Sequence, residues 1–216
     1  MINLNTDLLL GNFLAFIEYN KLPLDYILSF IHPIINHFDH SSKNKVRSKV
    51  AKIINHPEYD NENHHINDIA LLELQKPVEV NDGIEIACMA KNDPVEDDDV
   101  VISGWGLDEN SKKPEILKWA SLKISSTEEC DEYWEDKDLQ KHKIVCASDK
   151  KKDVCSGDSG GPLIMNLDGM VAVVGIVSWG AICADKVDGT IDSDAPGVYT
   201  SVAQYQSWIK KNMQLS

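Results

Sequence analysis

The sequence predicts an all-β protein that ends in one amphipathic helix. From about residue 48 onward, short runs of β-branched and apolar residues are separated by Gly, Pro, Asn and Asp, a pattern typical of β-sandwiches and β-barrels. The length of 216 residues is sufficient for one large all-β unit or two smaller ones around substantial cores. Only the last stretch of the chain changes to helical periodicity.

Eight segments are expected to form strands. Several of them are continuously apolar rather than alternating, so both of their faces should be buried. The segments are residues 50–54, 69–74, 100–103, 117–124, 144–147, 162–165, 171–179 and 197–200.

The end of the chain is predicted to be an amphipathic helix. Val202, Tyr205, Ile209 and Met213 recur at spacings of three and four residues, which places them on one helical face. We expect this face to pack on the last strand.

Residues 1–45 form an atypical N-terminal segment. All four phenylalanines lie in the first forty residues, where Val is absent, whereas all five tryptophans follow residue 100. The longest apolar stretch, residues 8–17, is too short to span a bilayer. Asp7 precedes it where a signal peptide would carry Lys or Arg, so the segment predicts neither a membrane span nor a clear signal peptide.

The charge balance excludes one class of partner. The sequence contains 21 Lys and Arg and 35 Asp and Glu, which gives a formal net charge of -14. Such a surface repels phosphate backbones, so we expect no nucleic-acid partner. Cationic substrates would instead be attracted within a Debye length of about 8 Å.

The five cysteines indicate disulfides rather than a metal site. Their number is odd and they lack the paired close spacing of a zinc site, so no metal or other cofactor is expected. Two disulfides and one leftover thiol in an oxidising compartment is one interpretation. Five buried thiols in a cytosolic protein is the alternative.

The motif Gly-Asp-Ser-Gly-Gly-Pro at residues 157–162 is the sharpest functional signal. Glycines on both sides of Ser159 allow a tight turn, which would leave the amides of Gly157 and Ser159 free to face a developing oxyanion. A generic Gly-rich turn between two strands is the alternative interpretation.

Five motifs in order resemble those of the chymotrypsin-like serine proteases of the trypsin branch, over about residues 48–212. The resemblance implies two antiparallel six-stranded β-barrels with the active site between them and a C-terminal helix, the first barrel being incomplete here. We therefore expect residues 46–95 to form the rest of the first barrel and residues 96–216 the second barrel and helix, together one monomeric peptidase domain. The motifs lie at residues 67–72, 103–106, 155–163, 175–180 and 196–200.

The resemblance implies roles for individual residues. Ser159 would be the nucleophile, Asp68 would orient the catalytic histidine, and the amides of Gly157 and Ser159 would form the oxyanion hole. Without the resemblance, Asp68 would be interpreted as a turn residue before a strand.

The same resemblance implies specificity for Lys or Arg. Asp153 occupies the position at the floor of the primary specificity pocket, although its charged neighbours alone would indicate a solvated acid. Gly180 and Gly197 match the small residues that keep this pocket open. Ser178, Trp179 and Gly180 resemble the segment that pairs with the substrate backbone.

The family pattern also implies two disulfides, Cys130 with Cys146 and Cys155 with Cys183. Cys88 resembles a cysteine that links the catalytic domain to a light chain or propeptide. The positions of a further family bridge are expected to hold Trp119 and Met165, as an apolar replacement.

Two family motifs are absent from this sequence: Ala-Ala-His-Cys, which carries the catalytic histidine, and the mature N-terminus Ile-Val-Gly-Gly. Among the seven histidines, His32 is in the matching register, and an ordinary polar residue before Pro33 is the alternative. Without an amino group to pair with it, Asp158 would be an unpaired buried charge. We therefore expect a zymogen-like chain with little or no proteolysis.

Three functions are compatible with these features to different degrees. The first is an extracellular trypsin-like endopeptidase that acts on protein or peptide substrates with Lys or Arg, and whose sequence is truncated or mis-spliced at the front, with residues 1–45 in place of the usual start. The second is a non-catalytic homologue with a binding or regulatory role, and the third is an unrelated β-rich binding module. The residues Asp68, Asp153, Asp158 and Ser159 favour the first.

Overall fold

The structure is a computed structural model. It describes the backbone of residues 13–16, together with residues 49–60, 65–75, 86–107, 112–136, 139–149, 154–180 and 195–213. The predictions for His32, Asp153 and Cys183 fall outside these residues.

The described elements are strands for the most part, with helices after β6 and at the end of the chain. A 3-10 helix at Leu139–His142 precedes β7. In chain order the elements are β1 Phe13–Phe16, β2 Val50–Asn55, β3 Ala70–Leu74, β4 Cys88–Met89, β5 Asp99–Gly104, β6 Lys118–Ile124, α1 Thr127–Tyr133, β7 Ile144–Ser148, β8 Pro162–Leu167, β9 Met170–Trp179, β10 Gly197–Ser201 and α2 Gln206–Asn212.

Six antiparallel strands close into a barrel. The order is β10, β7, β6, β5, β8 and β9, and the pairing of β10 with β9 completes the circle. The short strand β4 adds to β9 in parallel, with Cys88 opposite Ala172. The second barrel and the C-terminal helix of the predicted fold are therefore confirmed.

A smaller sheet contains three strands in the order β1, β3 and β2. Both pairings are antiparallel, and Phe13 lies opposite Glu73. A strand from the segment 1–45 thus joins the sheet that precedes the barrel. Within the described residues, this region shows fewer strands than the six of the barrel, and the domain boundaries stay predictions.

Each of the eight predicted strands matches an observed strand, with ends that differ by at most two residues. Continuous burial is confirmed for β10, where all five residues are buried, and for the first four residues of β7. By contrast, β2 exposes four of its six residues because it lies at the edge of the small sheet.

The sequence analysis missed α1, a seven-residue helix whose only buried residue is Cys130. So short a helix with one apolar contact has no readable hydrophobic face. Its signal was a capping box: Ser126 caps the helix, and Glu129 bonds back to the Ser126 N–H.

Two hydrophobic clusters position the functional region. One fills the barrel and contains Val100, Leu122, Leu163 and Tyr199 among others. The second lies under α2 and joins Ile69 and Leu71 to the predicted helical face of Val202, Tyr205, Ile209 and Met213. Burial of that face is confirmed, and it fixes the small sheet against the barrel immediately beside Asp68.

One packing prediction was wrong. Trp119 lies opposite Ser103 on β6 with 64% of its surface exposed, so it does not replace a disulfide by packing on Met165. Met165 packs instead against the barrel cluster that contains the fully buried Val100. The family resemblance suggested that Trp119 and Met165 face each other, but the strand register of the barrel keeps them apart.

Candidate active site

Asp68 is a buried acceptor at the junction of the small sheet and the barrel. The residue is only 4% exposed. Its Oδ2 accepts a hydrogen bond of 2.5 Å from Ser178 Oγ, and its backbone carbonyl accepts one of 2.8 Å from Thr200 Oγ1. Strands β9 and β10 of the barrel therefore hold an acid that the small sheet supplies. A solvated turn residue would not be held in this way.

The turn around Ser159 has a selective hydrogen-bond pattern. The N–H groups of Asp158, Gly160 and Gly161 donate to the carbonyls of Cys155, Val177 and Asp158 at 2.8, 2.9 and 2.8 Å respectively. Within the described residues, the amides of Gly157 and Ser159 donate to no backbone carbonyl outside the regular elements. Gly157 has a φ of 103°, a conformation that only glycine adopts readily. In the described part of the chain, the turn thus uses three of its N–H groups and shows no backbone acceptor for those of Gly157 and Ser159.

Asp158 lies beneath this turn and fastens it to the loop after β5. Its Oδ1 accepts from the Gly106 N–H at 2.7 Å, and its Oδ2 accepts from the Cys155 N–H at 3.0 Å. A Cβ at Gly104 would stand 1.9 Å from Oδ1, and one at Gly106 would stand 2.4 Å from Cγ. Both glycines are therefore needed to admit the carboxyl group. Burial raises the pKa of Asp158, and the two amide donors offset part of the rise.

The end of β9 and the start of β10 form one wall of the predicted specificity pocket. Trp179 lies opposite Val198, and a Cβ on Gly180 would stand 3.4 Å from the Gly197 Cα. The structure therefore brings together Ser178, Trp179, Gly180 and Gly197. Asp153, the predicted floor, is outside the described residues.

Trp134 is a pocket neighbour that the sequence analysis missed. Its ring meets that of Trp179 edge to face at a centroid distance of 4.7 Å. Its Nε1 donates to the Pro196 carbonyl at 3.1 Å. The contact joins residues 62 positions apart, so local sequence patterns carry no signal of it.

The described contacts of His56 and His65 are with residues other than Ser159. His56 is buried between Tyr205 and Trp208, and its Nδ1 accepts from the Glu58 N–H at 3.3 Å. Burial lowers the pKa of His56, Glu58 raises it in part, and Lys143 lowers it. His65 Nδ1 shares a hydrogen bond of 3.2 Å with the Tyr59 hydroxyl.

The cysteines follow the predicted pattern where they are described. Cys130 and Cys146 form a disulfide, with a Cα–Cα distance of 6.3 Å. Cys155 is disulfide-bonded, and its predicted partner Cys183 lies outside the described residues. Cys88 is a half-buried free cysteine on β4. In the described ranges no cluster of three or more His, Cys, Asp or Glu could hold a metal ion.

The described residues thus include a buried carboxylate that Ser178 holds, and a serine in a turn that bonds to β9 through the Gly160 N–H and the Val177 carbonyl. A family model named Trypsin matches residues 31–209, most of the chain. The chain belongs to the trypsin family. Its family match begins inside the atypical segment 1–45.

Individual relatives agree with this assignment. Mouse kallikrein-8 is 36% identical over 184 residues, which cover 81% of this chain and 66% of that protein. Rat glandular kallikrein-10 is 37% identical over 155 residues, covering 68% of this chain and 54% of that protein. This trypsin-family chain therefore spans about two thirds or less of the length of the curated relatives it matches.

Solved structures give the same fold. The structure described as neuropsin, a serine protease expressed in the limbic system of mouse brain, superposes with a TM-score of 0.66 at 37% sequence identity. The match covers 77% of this chain and 71% of the neuropsin chain. Among the described helices of the trypsin-family chain, none has the length and apolar character that crossing a membrane requires.

Proposed function

We propose that the protein is a serine endopeptidase that uses Ser159 as nucleophile, Asp68 as the orienting acid and His32 as the base. The observation that carries the proposal is the turn at Ser159. Three of its amides donate to backbone carbonyls inside the fold, whereas within the described residues those of Gly157 and Ser159 donate to no backbone carbonyl outside the regular elements. The buried Asp68, fixed by Ser178, supports the same assignment.

The proposed reaction proceeds through an acyl-enzyme. Ser159 Oγ attacks the scissile carbonyl carbon while its proton passes to the His32 imidazole, and the amides of Gly157 and Ser159 stabilise the oxyanion. The tetrahedral intermediate collapses, the C–N bond breaks, and the imidazolium returns the proton to the leaving amine. Water then attacks the ester by the same steps and releases the acid and Ser159.

The proposed specificity is for Lys or Arg before the scissile bond. Asp153 would supply the countercharge at the floor of the pocket. The close approach of Gly180 to Gly197 supports a pocket whose wall carries no side chains at these positions. The net charge of -14 adds a general attraction for cationic substrates.

We infer that turnover by this chain is low. Two amides bond to the Asp158 carboxylate, and in the described part of the chain no cation pairs with it. A partly buried carboxylate without a countercharge is costly, so the turn that it holds is less stable than a paired one. This inference agrees with a zymogen-like state.

A non-catalytic homologue that binds peptides in the cleft is the second candidate. The engagement of His56 by α2 and of His65 by Tyr59 favours it, because neither imidazole is then available as the base. In this case His32 would have no effect on reactivity at Ser159.

Ester hydrolysis separates these proposals. We would assay an arginine ester and a phenylalanine ester with the full chain and with Ser159→Ala, His32→Ala and Asp153→Ser. The proposal predicts slow hydrolysis that prefers the arginine ester, is lost in Ser159→Ala and His32→Ala, and loses its preference in Asp153→Ser. Hydrolysis that survives Ser159→Ala would refute the assignment, and rapid hydrolysis that needs Ser159 would refute the low turnover.

We also propose that the protein is an extracellular monomer. The Cys130–Cys146 disulfide supports an oxidising compartment. Cys88, a free cysteine on β4, is the proposed attachment point for a light chain or propeptide.

A further inference from the structure

Asn67, the residue before Asp68, has an unusual backbone conformation. Its φ is 56°, in the left-handed region that asparagine tolerates better than most residues. The carbonyl of Asn67 accepts a 2.8 Å hydrogen bond from the Ile69 N–H, which closes a tight turn around Asp68. The direction of the Asp68 side chain therefore depends on Asn67 staying in this conformation.

Two hydrogen bonds hold the Asn67 side chain from opposite sides. Its Nδ2 donates to the Glu58 carbonyl at 2.8 Å, and its Oδ1 accepts from the Tyr205 hydroxyl at 2.7 Å. Glu58 belongs to the same loop as Asn67, whereas Tyr205 lies 138 residues away at the start of α2. Of these two bonds, only the one from Tyr205 connects the turn to the barrel and its helix.

We propose that Tyr205 is a positioning residue, whose hydroxyl locks Asn67 in the left-handed conformation and so aims Asp68 at the catalytic centre. This inference rests on the role proposed above for Asp68. Ser178 and Thr200 fix the carboxylate and carbonyl of Asp68 directly. Tyr205 fixes the turn from which the side chain emerges.

The surroundings of Tyr205 favour a permanent hydrogen-bond donor. Burial raises the pKa of the Tyr205 hydroxyl, and the charges of Asp68 and Glu58 raise it further. With its pKa raised above the ordinary tyrosine value, the hydroxyl is protonated at neutral pH and can donate. The residue is 1% exposed, so no water can easily replace the hydroxyl if it is removed.

The substitution Tyr205→Phe removes this bond and keeps the packing. The ring contacts the His56 ring at 5.6 Å and lies 4.8 Å from Lys143 Nζ, and phenylalanine retains both. Tyr59→Phe is the matched control, because it removes a hydroxyl bond within the same loop whose partner is His65 and not Asn67. Asn67→Gly is the second variant, since glycine accepts the left-handed φ and lacks both side-chain bonds.

The test is amide hydrogen exchange of the full chain, which needs no catalytic activity. The Ile69 N–H reports on the turn around Asp68, and the Val177 and Val202 N–H groups, which donate to Gly161 and Val174, report on the barrel. We expect Tyr205→Phe and Asn67→Gly each to speed Ile69 exchange roughly tenfold, with the barrel amides and the Tyr59→Phe control unchanged.

Two outcomes would overturn the inference. Unchanged Ile69 exchange would show that the hydroxyl does not hold the turn, and equal acceleration at Ile69, Val177 and Val202 would show a merely global stabilising role. Phosphonylation of Ser159 by a fluorophosphonate, measured on the same samples, tests the proposed function separately. If the fluorophosphonate formed no adduct with the wild-type chain, the serine mechanism would be refuted. The hydrogen-exchange result would still decide whether Tyr205 holds the turn around Asp68.

Discussion

At the residue scale, the hydrogen bond from Ser178 to Asp68 sets how firmly the acid is held. A hydroxyl that donates to a carboxylate typically contributes more than one that donates to a neutral group. Asp68 is almost fully buried, so water cannot readily replace the lost donor.

We therefore expect Ser178→Ala to lower the free energy of unfolding by about 2 kcal/mol. Ser125→Ala is the control, because Ser125 Oγ bonds at 3.0 Å to the neutral hydroxyl of Ser148 and should cost only about 1 kcal/mol. Urea unfolding of the two variants measures both values. If the Ser178→Ala chain were no less stable than the Ser125→Ala chain, the Ser178 hydroxyl would not hold the Asp68 carboxylate as described.

The raised pKa of Asp158 predicts that the stability of the protein depends on pH. Because burial raises its pKa in the folded chain above the reference value of 3.8, the folded state holds the proton more tightly than the unfolded state. Proton binding by Asp158 therefore contributes to stability in full below the pKa that Asp158 has in the unfolded chain. The contribution is lost as the pH rises through its pKa in the folded chain.

Asp158→Asn removes this titration. As the pH rises from about 3.8 toward neutrality, the free energy of unfolding of the wild type should fall relative to that of the variant. Urea unfolding at a series of pH values measures the difference. Asp168→Asn, on an exposed turn, is measured in the same way as a control. If the difference in free energy of unfolding between the wild type and Asp158→Asn did not change with pH, or rose with pH, the partly buried Asp158 carboxylate would not be uncompensated.

Some residues of the site can be predicted from the sequence, and others cannot. Gly157, Asp158 and Ser159 lie in one short motif whose spacing dictates its turn, so their arrangement could be predicted. Thr200 and Tyr205 act on Asp68 and Asn67 across 132 and 138 residues. Such contacts arise only when the helix packs on the small sheet, and a local pattern carries no information about them.

At the element scale, α2 connects the two parts of the site. Its buried face packs against Ile69 and Leu71, which follow Asp68 directly. The helix has no side-chain cap at its N-terminus, so tertiary packing rather than local propensity stabilises it.

Ile209→Ala should therefore destabilise the protein by about 3 kcal/mol, the typical cost of a large-to-small change in a core. Ile209 is 1% exposed. Lys210→Ala, one position along on the exposed side of α2, should change stability by less than about 0.5 kcal/mol. Thermal or urea unfolding compares the two variants, and similar losses in both would contradict a packing role for this face.

Element prediction succeeded where the pattern is long and failed where it is short. The spacing of Val202, Tyr205, Ile209 and Met213 predicted a buried apolar face that runs from the turn before α2 through its C-cap. The two-residue strand β4 is too short for a period to be read, and α1 buries one residue, so it shows no apolar period. Both depend on tertiary contacts, namely pairing with β9 and the disulfide from Cys130.

At the scale of the whole molecule, the site is built where a closed barrel meets a three-stranded sheet. The barrel supplies Ser159, the two amides proposed to bind the oxyanion, Ser178 and Thr200, and the segment before β3 of the small sheet supplies Asp68. The all-β class and the final helix followed from periodicity alone. The number of barrels required the family resemblance, because strand spacing does not determine how strands close.

The most direct test of the account is covalent labelling of the full chain with a fluorophosphonate, followed by mass spectrometry of the intact protein and its peptides. The account predicts one slowly formed phosphonyl adduct per chain, located on Ser159 and absent from Ser159→Ala and His32→Ala. No adduct, or an adduct that persists in Ser159→Ala, would contradict a nucleophilic Ser159 and would favour the non-catalytic homologue.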